Sequence, residues 1–297
     1  MDNQTEVREF LRTRRARVTP DQAGLLTGGR RRVTGLRREE VAMLASVSTD
    51  YYAKMERGNL AGVSPEILDA VARALQLDEA ETAHLQDLAR DATPALARRR
   101  PRNTDVAVRP SLQRFLDAVT GAPAWVMNQR KDVLATNALG RALMAPMLED
   151  PSNRANLARF TFFSPASRSF YTEWQQGADS IVASLRTAAG QYPHDRGLTD
   201  LIGELVTRSD IFRVRWAAHD VRFHRSGTKR ISHPEVGDLE FTFEGLELPD
   251  HPGWMMFAYT TVAGSPSEER VQILGSLAAT RAHEAAADLD ADQEATT

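Results

Sequence analysis

The aromatic residues of this 297-residue chain are spread too unevenly for a single hydrophobic core: only Phe10, Tyr51 and Tyr52 precede residue 110, while all four tryptophans follow it. A chain of this length ordinarily forms two domains rather than one. Between the aromatic-poor and aromatic-rich parts, the stretch from Ala92 to Pro110 combines Pro94, Pro101 and Pro110 with Arg98, Arg99, Arg100 and Arg102, which interrupts helices and stays solvated. The expected organisation is a first module over 1–92, a linker over 93–109, a second module over 110–282 and a disordered acidic tail over 283–297.

Cysteine is absent, which removes disulfide scaffolds, thiol nucleophiles, iron–sulfur clusters and thiolate zinc sites. The longest apolar stretch, from about Gly253 to Tyr259, falls far short of the ~18 residues that a bilayer-spanning helix needs. The first thirty residues carry six arginines and no apolar run of signal-peptide length, so a cytoplasmic address and no membrane partner are expected.

A formal net charge of -3 hides a strong asymmetry. Between Arg8 and Arg38 ten arginines face only Glu9 and Asp21, whereas from Ser232 to Thr297 thirteen acids face only Arg270 and Arg281. A basic N-terminal stretch is the electrostatic footprint of phosphate binding, although a solvated helical surface has the same composition.

Local patterning in the first module is helical. Val7, Phe10 and Leu11 form an apolar face, and Arg8, Arg12 and Arg15 line a second face that is expected to meet anions. Periodicity restarts over Arg37 to Ala45, breaks at Ser46, Val47 and Ser48, and resumes over Thr49 to Arg57, with Ser48 as N-cap and Gly58 as stop. Ala42, small enough for close helix approach, the apolar turn residue Val47, and Tyr52 with Met55 supply the inner side of a helix-turn-helix. The outer side is then Thr49, Asp50, Lys54 and Arg57, placed to reach base edges and phosphates, with Arg37 and Arg38 near the DNA backbone. Two more helices follow, one started by Ser64 and Pro65, the other by an Asp78/Glu81 capping box.

The segment GLRREEVAMLASVSTDYYAKMERG resembles the helix-turn-helix of the xenobiotic-response-element (XRE) family of lambda-repressor-like regulators. The likeness covers about residues 6 to 91 and implies an all-α five-helix DNA-binding domain. It implies base reading by Thr49, Asp50 and Lys54, and phosphate or flanking contacts by Arg38, Arg57 and Asn59, around the N-cap Ser48. The chain departs from that family at Ser46, where glycine is usual, so a serine is expected to adopt a left-handed conformation at a cost of ~1 kcal/mol.

In the second module, short apolar runs at Ala124 to Met127 and Val133 to Asn137 flank a turn and precede a helix over Ala138 to Met147. Helical spacing returns around Trp174 to Leu185, Leu198 to Leu205 and Ile211 to Trp216, followed by strands over Thr228 to His233, Leu239 to Leu248 and Trp254 to Val262. Leu239, Phe241 and Phe243 occupy odd positions while Leu246 and Leu248 occupy even ones, which predicts a β-bulge at Gly245. A strand pair, helices and a three-stranded meander resemble an α+β PAS-like domain with an antiparallel sheet. TKRISHPEVGDLEF and AYTTVAGSPS resemble the MmyB-like ligand-binding domain, a likeness that covers about residues 110 to 265. That resemblance implies an apolar cavity for a fatty-acid-like effector. Its wall candidates are Trp125, Phe170, Trp174, Trp216, Phe241 and Phe257, and its polar candidates Tyr171, Arg215 and His219. The same aromatics would equally fill a core.

His219, Asp220 and His224 do not have metal-site or hydrolase spacing, and phosphate-loop, dinucleotide, zinc-protease and nucleophile-elbow patterns are absent. No catalytic residue, metal or cofactor is expected. The reading is a multidomain transcription regulator that binds double-stranded operator DNA as a homodimer and responds to an apolar effector. Two alternatives stay open on residues alone: a second module that serves only as a dimerisation or protein-interaction platform, and a His-Asp hydrolase fused to a DNA-binding module.

Overall fold

The structure, a computed structural model, describes residues 3–25, 31, 33–92, 107–218 and 226–295, with side chains described to residue 284. The expected linker lies outside the described residues except for 107–109, as do His219, Asp220 and His224. Internal packing divides the chain into two compact units, one formed by Met1–Arg102 with Val182–Phe223, the other by Asn103–Ile181 with His224–Thr297. The division therefore differs from a single cut at the proline- and arginine-rich stretch.

In the first unit, α1 (Asn3–Arg17), α2 (Arg38–Leu44), α3 (Thr49–Glu56), α4 (Pro65–Ala74) and α5 (Glu79–Asp91) enclose a core of Val7, Phe10, Leu11, Val41, Tyr52, Met55, Val71 and Leu85 among others. The local signals act mostly as their chemistry demands. Ser48 Oγ accepts from Tyr51 N at 3.1 Å, and Asp78 and Glu81 exchange both capping-box bonds. Ser64, by contrast, makes no side-chain cap bond, and Pro65 at the first helical position starts α4 instead.

α2 ends in a Schellman turn: Val47 N donates to Ala42 O at 2.9 Å and Ser46 N to Met43 O at 3.1 Å, with Ser46 at φ 55°. α3 ends at Gly58, whose φ is 102° and where a Cβ would run into the Gln4 carbonyl of α1. Only glycine fits that approach. The first unit also contains the end of α11 (Trp174–Gln191), α12 (Arg196–Arg208) and α13 (Asp210–Trp216). Arg186 of α11 is buried there and pairs with Glu6 of α1.

The second unit is built on a five-stranded antiparallel sheet in the order β2-β1-β5-β4-β3, from β1 (Ala124–Met127), β2 (Val133–Thr136), β3 (Ser226–His233), β4 (Gly237–Glu247) and β5 (Met255–Thr260). The expected strand pair and meander join through the β1–β5 ladder, as a PAS-like sheet requires. One face carries Ala124, Val126, Ala135 and Met256 against Leu116 and Leu112 of α6 (Pro110–Ala118). Asn137 ties these pieces together: its Oδ1 accepts from Ala124 N and Gly140 N, and its Nδ2 donates to the Val119 and Ala122 carbonyls. It thereby caps α7 (Ala138–Leu143), which Pro146 separates from α8 (Ala145–Leu148).

Three expectations need correction. Pairing of β4 with β5 runs in unbroken register through Gly245, so the predicted bulge is absent from that ladder; Leu246 simply points to the opposite face, 54% exposed, and Leu248 packs with the α6 side. The shift in register occurs instead between Val126 and Met127. The helix expected over Ala138 to Met147 is two, because a proline cannot continue the hydrogen-bond ladder. Of the tail read as disordered over 283–297, residues 283–295 belong to α14 (Pro266–Ala295), since alanine, leucine, glutamate and glutamine favour helix, and 296–297 lie outside the described residues; α14 packs on α7 and β4.

Two substitutions test these turns with opposite signs. Ser46→Gly should relieve a left-handed serine and raise stability by up to ~1 kcal/mol, seen as a higher Tm, whereas Gly58→Ala should lower Tm by forcing α1 and α3 apart. Equal and small effects at both sites would show that neither backbone conformation matters to the bundle.

Candidate functional site

The helix-turn-helix presents one solvent face and hides the other. Tyr52, Met55 and Glu56 of α3 are buried, while Ser48, Thr49, Asp50, Lys54, Arg57 and Asn59 are exposed, as are Arg37 and Arg38 at the start of α2. All eight residues expected to meet DNA therefore lie at the surface of the first unit.

What holds this face in place is a set of ion pairs within the bundle, one of them made by Arg15, which was expected to line a face meeting external anions. Arg15 turns inward: its Nε and NH2 donate to the two carboxylate oxygens of Glu56, each at 2.9 Å, and its NH1 donates to Leu36 O at 2.8 Å. Arg38 NH2 reaches the same carboxylate at 3.2 Å, although much of its side chain stays exposed. Burial raises the Glu56 pKa, but the Arg15 and Arg38 hydrogen bonds outweigh it and hold the carboxyl below its ordinary range. Arg14 is also buried, paired with Glu81 at 2.8 Å and stacked over Phe10 at 4.9 Å. Arg8 and Arg12 keep the expected surface position, with Glu9 between them. Spacing alone could not separate these cases, because the partners Glu56 and Glu81 lie far along the chain.

In front of α2, Arg31 forks onto Glu40 at 2.6 and 2.8 Å, and Glu40 also accepts from Arg37 N at 2.6 Å. The Arg31 guanidinium, followed by the Arg37 N–H, draws the Glu40 pKa down to about 2.

In the second unit the sheet face opposite α6 is aromatic. Trp125 of β1 lies 6.2 Å from Phe257 and 4.5 Å from Tyr259 of β5, and Phe241 of β4 lies 5.4 Å from Tyr259. Trp125 Nε1 is buried and has no hydrogen-bond partner among the described residues. Phe170 and Tyr171 follow from α9 (Leu157–Phe163) and α10 (Ala166–Phe170), with Phe170 6.3 Å from His233 and Tyr171 bridging to Ile231 of β3. Trp174 is held elsewhere, its indole N–H donating to Ser167 Oγ at 3.1 Å beneath the Arg168 guanidinium.

The expected ligand set is thus divided. Trp125, Phe170, Tyr171, Trp174, Phe241 and Phe257 belong to the second unit, Arg215 and Trp216 on α13 belong to the first, and His219 lies outside the described residues. Missed by the sequence reading was Lys229, which shares the aromatic face with Phe241 and Ile231 through strand alternation. Its half-buried ammonium sits 5.4 Å from the Tyr171 ring centre, and burial lowers its pKa. The period-two pattern of β3 was the available signal. Among the described residues, no group of acidic or imidazole side chains could hold a metal ion, and no helix is long and apolar enough to cross a membrane.

An exposed recognition helix in one unit and a PAS-like sheet with an aromatic face in the other define a DNA-binding regulator with an effector domain. Two family comparisons agree: a helix-turn-helix domain matches residues 6–85, and the MmyB-like transcription regulator ligand binding domain matches residues 108–274. The second match spans more than half of the chain, and the chain belongs to the MmyB-like transcription regulators. Comparison with curated proteins finds no match.

The Glu40 fork carries a pH signature. A carboxyl whose pKa falls on folding contributes stability that is complete above its ordinary value of 4.5 and is lost as the pH falls toward about 2. The stability gap between wild type and Glu40→Gln should stay constant above about pH 4.5 and shrink below it, as read by denaturant titration at each pH.

Proposed function

We propose that this ligand-responsive regulator reads operator DNA through α3 and senses an apolar, fatty-acid-like effector on the aromatic face of its sheet. The observation that carries the first part is the outward set Thr49, Asp50, Lys54 and Arg57 on a helix whose other side is buried. Such a helix fits the major groove, with Thr49, Asp50 and Lys54 toward base edges and Arg37, Arg38, Arg57 and Asn59 toward the sugar-phosphate backbone. Ser48 caps the helix at the end that would meet the groove. The protein works in the cytoplasm as a homodimer, because one recognition helix reads few bases and two half-sites add their free energies. It performs regulation rather than catalysis, in keeping with both matched families.

Lys54→Ala should change which base is preferred at one operator position, whereas Arg57→Ala should weaken all sequences alike and reduce the salt slope by about 1. Selection from a randomised duplex pool, followed by salt titration, separates the two; identical behaviour would refute the assigned roles.

For the effector, the support is an apolar face with a cation beside it, Lys229, suited to a carboxylate head with a hydrocarbon tail. Lys229→Met should weaken free fatty acids about tenfold and leave their methyl esters unchanged. Equal affinity of wild type and variant for the acids would remove Lys229 from this role, and failure of any acid or ester to bind would favour an interaction platform.

A further inference from the structure

The sheet of the second unit carries one face that is only half covered. Ala124 and Val126 of β1, Met256 and Ala258 of β5, and Glu244 and Leu246 of β4 share that face, because they pair in register across the ladders. α6 packs chiefly over β2, where its Leu116 is fully buried with Ala124, Val126 and Met256. Beyond β5 the cover stops: Thr242, Glu244 and Leu246 of β4, and Thr228 of β3 which pairs with Thr242, are exposed.

Two large apolar side chains border this open strip. A helix turns about 100° per residue, so the inward stripe of Leu112 and Leu116 puts Gln113 and Phe115 on opposite flanks of α6. Gln113 donates to the Thr136 carbonyl of the edge strand β2 at 3.0 Å, which fixes its flank on the β2 side. Phe115 therefore leans the other way, over β5 toward β4, and is 54% exposed; Leu246 rises from β4 with the same exposure. Single exposed apolar residues are ordinary, but two that border one strip of uncovered sheet, rimmed by polar side chains, mark a binding surface.

Charge selects the occupant. Arg114, beside Phe115 on the outer side of α6, and Glu244, on the same face of β4 as Leu246, are both exposed, and neither side chain has an ion-pair or hydrogen-bond partner among the described residues. The helix thus offers an apolar ring with an unpaired cation, and the strand an apolar side chain with an unpaired acid. Such a surface complements itself about a two-fold axis, as an isologous dimer requires.

Taking the protein to be a homodimer, as proposed above, we propose that two copies meet on this half-open sheet face. The α6 of each lies on the uncovered β4 side of the other, with Arg114 against the partner's Glu244 and Phe115 beside the partner's Leu246. Two α6 helices then lie side by side between two sheets, and every contact is made twice.

Sedimentation equilibrium of the full-length protein tests this arrangement. All four side chains are exposed, so their replacement should leave the far-UV circular dichroism spectrum unchanged. Phe115→Asp or Leu246→Asp should weaken the dimer about thirtyfold or more, since each change acts at two symmetric contacts. Arg114→Glu and Glu244→Arg each bring like charges together and should weaken it about tenfold, whereas the double variant Arg114→Glu/Glu244→Arg should recover most of that loss. A dimer that tolerates both aspartate variants, or a double variant no tighter than the single ones, would overturn the inference while leaving the homodimer reading intact, with the strip open to a different partner. A wild-type protein that stays monomeric would overturn both.

Discussion

The Glu56 carboxylate, buried at the end of the recognition helix and gripped by Arg15 and Arg38, is the interaction on which the DNA-facing geometry depends. It links α1, α2 and α3 through one acidic group. A buried charge is costly to desolvate, and the cost is offset only where hydrogen bonds satisfy the group well. Here Arg15 meets both oxygens in a fork and uses a further N–H on the Leu36 carbonyl, so the approach to α2 is held by the same side chain. Removing one partner of such a pair typically costs about 3 to 5 kcal/mol because the other charge is left buried. With α3 held from behind in this way, its outer residues need take no part in holding the bundle together.

The second unit solves a different problem. Strand alternation separates the two faces of the sheet: Ala124, Val126, Ala135 and Met256, with Trp254, pack toward α6, and Trp125, Phe241, Phe257 and Tyr259 face the other side. Aromatic rings meeting at angles leave a less uniform surface than interlocking aliphatic chains. Trp125 Nε1 and the Lys229 ammonium place polar atoms within that surface. Buried polar groups in an apolar setting orient a ligand more than they stabilise a fold.

Where local chemistry governed the outcome, the sequence was readable. Ser48, Asp78 with Glu81, and Gly58 act over three or four residues and occupy the positions their spacing demanded, and Ser46 adopts the left-handed conformation that the family resemblance implied. The five-stranded antiparallel sheet was likewise legible from period-two runs. Errors arose where the partner is remote. Arg15 looked like part of a face meeting external anions because Glu56 is distant along the chain, and Leu246 with Leu248 looked like evidence of a bulge because nothing local revealed that Leu248 packs on the α6 side while Leu246 stays exposed. Lys229 escaped notice for the same reason, its neighbour Tyr171 lying on another element.

From residue order alone came the helix-turn-helix with its outward Thr49, Asp50 and Lys54, and the class of the second module. Periodicity, caps and turns are short-range and survive without a partner. Tertiary structure alone decided that Val182–Phe223 packs with the DNA-binding helices, that Arg186 pairs with Glu6 and stacks on Trp216, and that Arg215 and Trp216 part company with Trp125. Burial and ion pairing join residues separated by a hundred positions or more, and no local pattern encodes which of several compatible partners a side chain will meet.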